Sequence, residues 1–257
     1  MITLANRFHF ISAQTEEAMK ATKKLISIYG HFPLEKTDVV IAIGGDGTML
    51  QTVRDVMNIG KPIYGMNQGS IGFLMNEFHE QELPNRIAIA HKKEIHPLRM
   101  IAKVESQEHI EALAINEVSL FRQSYQAAKI RISIDGNIRM EQLICDGILV
   151  ATPAGSTAYN LSAHGPILPL MAPLMALTPV SPFRPRRWHG ALLPNTATIR
   201  FDMLESDKRP VNAAADNVEV KSVKSVTIST ATEVTATILF DSNHSWDERI
   251  LSEQFRY

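Results

Sequence analysis

The apolar run Val39 to Ile43 ends in Gly44-Gly45-Asp46-Gly47-Thr48 and passes into Met49-Leu50-Gln51-Thr52-Val53-Arg54, a stretch of good helix formers. No other segment constrains the fold as tightly, because a buried strand, a glycine-rich turn and a helix in that order belong to a parallel α/β sheet. Gly44, Gly45 and Gly47 let the backbone take positive φ and bring its N–H groups close to a ligand. The helix N-terminus after them favours an anion, so the turn, with Thr48 closing it, has the form of a phosphate cradle. Asp46 has a different task. A carboxylate only accepts hydrogen bonds and repels phosphate, which leaves a substrate hydroxyl or a metal ion as its partner. The turn has neither the lysine of a Walker loop nor the spacing of Gly-x-Gly-x-x-Gly.

A chain of 257 residues is long enough for two domains or one large one. Its formal net charge of −1 gives no electrostatic case for nucleic acid, so phosphate recognition must be local. The sequence predicts a cytoplasmic protein: Met1 to Arg7 has no charged region followed by a long apolar stretch, and no later segment approaches a membrane span. Cys145 is the only cysteine, which excludes an intrachain disulfide and argues against a cysteine-built metal site. His91 and His96, the closest histidine pair in sequence, lack metal-ligand spacing.

Strand and helix signals alternate at first: Phe8 to Ile11, Thr15 to Tyr29, Val39 to Ile43, Thr48 to Met57, then Ile63 to Asn67 after the Gly60-Lys61-Pro62 break. Ligands of such sheets sit at the carboxyl ends of strands. The two glycine-rich turns, after Ile43 and after Asn67, are therefore expected to face one cleft. From about Ile95 short β runs take over: Arg99 to Glu105, Ile110 to Phe121, Lys129 to Ile134, a hairpin at Asp135-Gly136-Asn137, then Arg139 onward, Val226 to Ser229 and Thr235 to Phe240. The expected organisation is an α/β domain with a parallel sheet over residues 1–94, a β-rich, sandwich-like domain over 95–245, and a short helix, Asp247 to Phe255, that returns to the first domain. Between Thr178 and Trp188 three prolines forbid a regular helix, leaving an ordered loop whose arginines are either solvated or phosphate ligands.

Two later motifs carry chemistry. Asn116-Glu117 sets an amide beside a carboxylate in an apolar β-like run, where strict alternation would send them to opposite faces. A bulge or strand end would let both reach a ligand, the amide donating to phosphate or base and the carboxylate accepting from ribose hydroxyls. The longer motif runs from Cys145 to Ile167: a buried strand, Ile148 to Ala151, a proline-glycine turn, and a helix start at Ser156 or Thr157. Small residues at Ala154, Gly155 and Ala158 would admit a flat ring against the backbone, with Tyr159 either covering it or packed in the core.

The Gly-Gly-Asp-Gly turn alone resembles a superfamily that includes NAD kinases, diacylglycerol and sphingosine kinases and phosphofructokinases. All three motifs in this order resemble the NAD kinase family, from the turn to at least Ile167 and more weakly to Asp216. The resemblance implies ATP-dependent phosphorylation of the 2′-hydroxyl of the adenosine ribose of NAD, with Asp46 as catalytic base. It implies ATP phosphates at Gly44, Gly45, Gly47 and Thr48, with Mg²⁺ or another divalent cation carried by ATP. It assigns NAD to Asp46, Gly47, Phe73, Asn116, Glu117, Asp146, Thr157, Ala158, Tyr159 and Ser162, with Asp216 as a further binding residue. It also implies NAD bound between an α/β and a β-rich domain, in homodimers or homotetramers whose neighbouring subunit completes the site. Leu168 to Asn195 departs most from the family pattern. The alternatives are a lipid kinase, which would need a Gly-Thr-Gly-Asn-Asp-type segment where this chain has Asn67-Gln68-Gly69-Ser70-Ile71-Gly72-Phe73, and a dinucleotide sensor without catalysis.

Overall fold

A computed structural model describes residues 7–69, 73–106 and 109–242, so the helix expected over 247–255 and the centre of the turn after Asn67 lie outside the described residues. The chain divides into two units, residues 1–95 with 234–257, and residues 96–233.

The first unit is built on β1 (Phe8–Ser12), α1 (Glu16–Tyr29), β2 (Val39–Gly44), α2 (Asp46–Val56), β3 (Ile63–Asn67), α3 (Leu83–Ile89) and β4 (His91–Ile95). Strands β1, β2 and β3 are parallel neighbours. Every residue of β2 is buried, as expected of a strand covered on both faces. On one side Phe8, Ile41, Ile43, Tyr64 and Met66 pack with Leu25 of α1 and Leu83 of α3. Thr15 caps α1, its hydroxyl accepting from the Ala18 N–H, and Gly30 ends the helix at φ 74°.

The last strand of the first unit corrects the sequence expectation. Ala236–Phe240 joins neither β-rich sheet; it lies between β3 and β4, parallel to β3 and antiparallel to β4. Its apolar pattern suits either location, and long-range contacts decide between them. The Asn76 amide donates to the Gly65 and Leu239 carbonyls and its oxygen accepts from the Asp241 N–H. Asp241 in turn accepts from the Tyr64 hydroxyl (2.5 Å) and pairs with Arg86. Burial and this carboxylate raise the Tyr64 pKa well above its usual value.

The second unit is a sandwich of two six-stranded antiparallel sheets. It contains β5 (Leu98–Lys103), β6 (His109–Ala114), β7 (Glu117–Arg122), β8 (Ala128–Ile134), β9 (Asn137–Cys145), β10 (Gly147–Ala151), a four-residue helix α4 (Tyr159–Ser162), β11 (Leu174–Val180), β12 (Ala191–Pro194), β13 (Ile199–Met203), β14 (Val211–Ala215), β15 (Val218–Val220) and β16 (Ser225–Thr230). The sheet orders are β12-β11-β10-β7-β14-β15 and β6-β5-β16-β13-β8-β9. Alternate residues of both, among them Met100, Leu120, Ile130, Ile148, Phe201 and Ile228, form one core. Asp135 and Gly136 both take positive φ (50° and 77°) and make the expected hairpin between β8 and β9.

Three local expectations change. The run Ile110 to Phe121 is two strands, β6 and β7, which belong to different sheets and meet at Ile115-Asn116. Thr178, Pro179 and Val180 are the end of β11, where Pro179 is paired with Ile148 of β10. Strand β12 covers β11 only from Leu174 to Leu177, so the missing N–H of Pro179 interrupts no ladder. After β10 the chain makes a 3₁₀ turn, Ala154–Thr157, before the short α4.

Candidate active site

In the first unit the two glycine-rich turns meet. Gly44 is paired with Asn67, and the Gln68 N–H donates to the Gly44 carbonyl. Helix α2 begins at Asp46, two residues earlier than the sequence predicts, because Gly45 in extended conformation (φ −110°) takes the N-cap position. Asp46 thus stands in the first turn, where the helix dipole favours a carboxylate. Its two oxygens accept from the backbone N–H groups of Phe73 (2.7 Å) and Leu74 (2.8 Å). A carboxylate has about four lone-pair sites, so two remain for a substrate hydroxyl.

The glycines divide in role. A Cβ on Gly44 would stand 2.4 Å from Thr48 Oγ1 and 3.0 Å from Ala13 Cβ, so Gly44 is required by packing. A Cβ on Gly45 or Gly47 would meet nothing within 4 Å, which leaves their backbone open to a ligand. Thr48 turns its N–H back to the Gly45 carbonyl (3.0 Å), and only its side chain is left for a phosphate. Asn67 was not singled out in the sequence. Its Oδ1 is buried without a hydrogen-bond partner among the described residues, and the legible signal was an amide at the carboxyl end of a strand next to the one bearing the glycine turn.

In the second unit Ile115, Asn116 and Glu117 form the kink between β6 and β7, and every backbone polar group of the three is bonded. The Asp216 carboxylate accepts from the N–H groups of Ile115 (2.8 Å), Asn116 (3.0 Å) and Glu117 (3.2 Å). The Thr152 hydroxyl donates to the Ile115 carbonyl, the Thr152 N–H to the Asn116 carbonyl, and the Asp216 N–H to the Glu117 carbonyl. The side chains are the reverse case: Asn116 Oδ1 and Glu117 Oε2 are buried with no hydrogen-bond partner among the described residues. Burial, and secondarily the charge of Asp216, push the Glu117 carboxyl up to about 7. A satisfied backbone carrying unsatisfied buried side chains is the arrangement of a ligand site.

The long motif is mostly scaffold. A Cβ on Gly155 would stand 2.2 Å from the Asn116 carbonyl oxygen, so the close approach at this glycine is made by the Asn116 backbone and not by a flat ring. The buried Asn160 side chain donates to the Ser156 and Pro166 carbonyls and accepts from the Thr178 hydroxyl. Thr157 and Ala158 are half-buried beside this brace, while Ser162 and Tyr159 (40% exposed) are open to solvent. The Tyr159 ring lies 5.7 Å from that of Phe121.

Asp146 is not brought to the Asn116-Glu117 kink. It pairs with Arg122 (2.6 Å) at one end of the β7–β10 pair, whereas Glu117 is opposite Ala151 at the other. Five residues of strand separate the two ends, roughly 16 Å. Among the described residues no three His, Cys, Asp or Glu side chains are grouped to hold a metal, and no helix is long and apolar enough to cross a membrane.

Comparison with known proteins agrees with this layout. Residues 4–94 match the ATP-NAD kinase N-terminal domain and residues 115–240 the ATP-NAD kinase C-terminal domain. The chain is 66% identical over 249 residues to the NAD kinase of Brucella suis biovar 1 (strain 1330), covering 97% of each protein. It is 62% identical over 257 residues to that of Mesorhizobium japonicum, covering the full length of both. Among solved structures, yeast NADH kinase complexed with NADH superposes with a TM-score of 0.83 at 20% identity, over 100% of this chain and 90% of that one. An NAD kinase from Archaeoglobus fulgidus in complex with ATP superposes with a TM-score of 0.74 at 21% identity, over 96% and 98%.

Proposed function

The chain belongs to the NAD kinase family, and is a phosphotransferase with NAD as acceptor; from that premise we propose how its residues divide the reaction. ATP donates its γ-phosphoryl group to the 2′-hydroxyl of the adenosine ribose, giving NADP and ADP. Such a transfer depends on alignment and charge neutralisation more than on covalent chemistry by the protein. Asp46 accepts the hydroxyl proton as the oxygen–phosphorus bond forms. The sterically open backbone at Gly45 and Gly47, with the Thr48 hydroxyl, receives ATP phosphates, and a divalent cation enters with the nucleotide. Phe73 contacts the adenine, while Asn116 and Glu117 hold the ribose and base through the polar atoms that lack partners.

The single observation that carries this reading is the pair of buried, unpartnered oxygens on Asn116 and Glu117. Their desolvation is costly unless a ligand supplies donors. Purified protein given ATP, Mg²⁺ and NAD should form NADP, detected as NADPH after a dehydrogenase step, and chelation by EDTA should stop it. Asn116→Ala and Glu117→Ala should each weaken NAD by ~1.5–3 kcal/mol, with ATP much less affected. Equal weakening of both substrates would point to collapse of the site instead.

Asp146 and Tyr159 fit this scheme as contributions to the site of a second copy, since Asp146 lies at the far end of the strand pair from Glu117 within its own chain. The active species is therefore a homo-oligomer, in the cytoplasm. Phe183, 49% exposed under the guanidinium groups of Arg184 and Arg186, gives the 181–190 loop the amphipathic character of a contact surface. Light scattering across a dilution series should show an oligomer that loses activity as it dissociates. A monomer with full specific activity would remove the shared site.

A further inference from the structure

We propose that Asp216 is the positioning residue of the acceptor site: its carboxylate holds the β6–β7 kink from which Asn116 and Glu117 reach NAD. The proposal rests on the reading of that pair as NAD ligands. Strand alternation would send the two side chains to opposite faces, and both reach a buried, ligand-ready position because the ladder is interrupted where the chain leaves one sheet for the other. An interruption of this kind leaves consecutive N–H groups without ladder partners. Asp216, about a hundred residues away in sequence, takes three of them on one carboxylate, Oδ1 accepting from Asn116 and Glu117 and Oδ2 from Ile115.

The grip is reciprocal and its geometry is specific. The Asp216 N–H returns a hydrogen bond to the Glu117 carbonyl (3.1 Å), next to the Ala215–Val118 pairing that sets the register of β14 on β7. Asp216 is in the left-handed region (φ 49°) at the β14–β15 turn, a conformation that costs most residues energy and that aspartate tolerates better than most. A carboxylate engaged with three N–H donors cannot swing to a ribose hydroxyl without releasing them. Asp216 therefore acts through Asn116 and Glu117, and the direct NAD-binding role expected from the sequence gives way to an indirect one.

The test compares wild type, Asp216→Ala and Asp216→Asn by steady-state kinetics in both substrates and by calorimetric titration of NAD without ATP. Alanine removes all three acceptor contacts; asparagine can keep the two at Oδ1. Alanine is expected to raise the KM and Kd for NAD roughly 30-fold with the KM for ATP within about 3-fold, and asparagine to restore NAD binding to within about 5-fold of wild type. In Asp216→Asn the pH below which NAD binding weakens should also move down, because a negative charge beside Glu117 is gone. A residue serving only general stability would raise both KM values together. Unaltered NAD affinity in Asp216→Ala, equal loss for both substrates, or asparagine as impaired as alanine would overturn the proposal. If the alanine variant does not fold, the KM for NAD against the KM for ATP in the asparagine variant decides. Absence of NADP formation by the wild type would refute the functional reading separately, and the NAD titrations would still report on Asp216.

Discussion

Asp46→Asn is expected to lower kcat at least ~100-fold while leaving NAD bound. The amide preserves the shape of the carboxylate but cannot take a proton from the 2′-hydroxyl. It also changes the loop, since one of the two N–H groups now received by Asp46, from Phe73 or Leu74, would face an NH₂ group. Losing that charge-assisted bond costs about 1.5–3 kcal/mol, comparable with the ~2.7 kcal/mol that a 100-fold rate loss represents, so size alone does not separate the two effects. Where the loss falls does separate them. A displaced Phe73 loop weakens binding and raises KM, whereas a missing base lowers turnover at saturation. Measured kcat with both substrates saturating, beside the Kd for NAD, gives the split, and near-wild-type turnover at saturation would show that Asp46 is not the base.

The parts of the fold legible in the sequence were those set by local pattern. Val39 to Ile43 is apolar throughout because β2 is covered on both faces, and Asp135-Gly136 fits a two-residue hairpin whose loop residues both need positive φ. Long-range decisions were not legible. Ala236–Phe240 carries the same β pattern whether it joins the sandwich or the parallel sheet, and the Asn76 and Asp241 contacts that favour the latter span more than 160 residues. The site divides in the same way. Asp46, Asn116 and Glu117 stand out because polar residues interrupt apolar runs. The work of Asp216 and Thr152 does not, since both use side-chain oxygens to bond the backbone of Ile115 to Glu117, and nothing local to residue 216 or 152 records that partner. Gly155 misled for a related reason: a glycine marks close approach without saying what approaches, and here it is the Asn116 backbone.

Glu117→Gln should stabilise the ligand-free protein at pH 8 while weakening NAD binding. Burial and the neighbouring Asp216 raise the Glu117 carboxyl from the ordinary 4.5 to about 7, so the folded state holds this proton more tightly than the unfolded chain. The sign follows from linkage. A raised pKa contributes stability that is fully present below pH 4.5 and is lost as pH rises through 7, so above 7 the folded protein carries an ionised, poorly solvated carboxylate. The difference amounts to at most about 3 kcal/mol at pH 8, and a neutral glutamine of similar shape should recover much of it. The gain should vanish near pH 4.5, where the wild-type side chain is protonated in the fold. Denaturant unfolding of both proteins at the two pH values measures this directly, provided both still unfold cooperatively at the lower pH. NAD titration supplies the other half: wild-type affinity should fall as pH drops through 7, because a neutral carboxyl is a weaker acceptor for ribose hydroxyls, and the glutamine variant should bind weakly at every pH. Equal stability of the two proteins at pH 8, together with pH-independent NAD affinity in the wild type, would show that Glu117 is neither strained in the free protein nor charged when it meets its ligand.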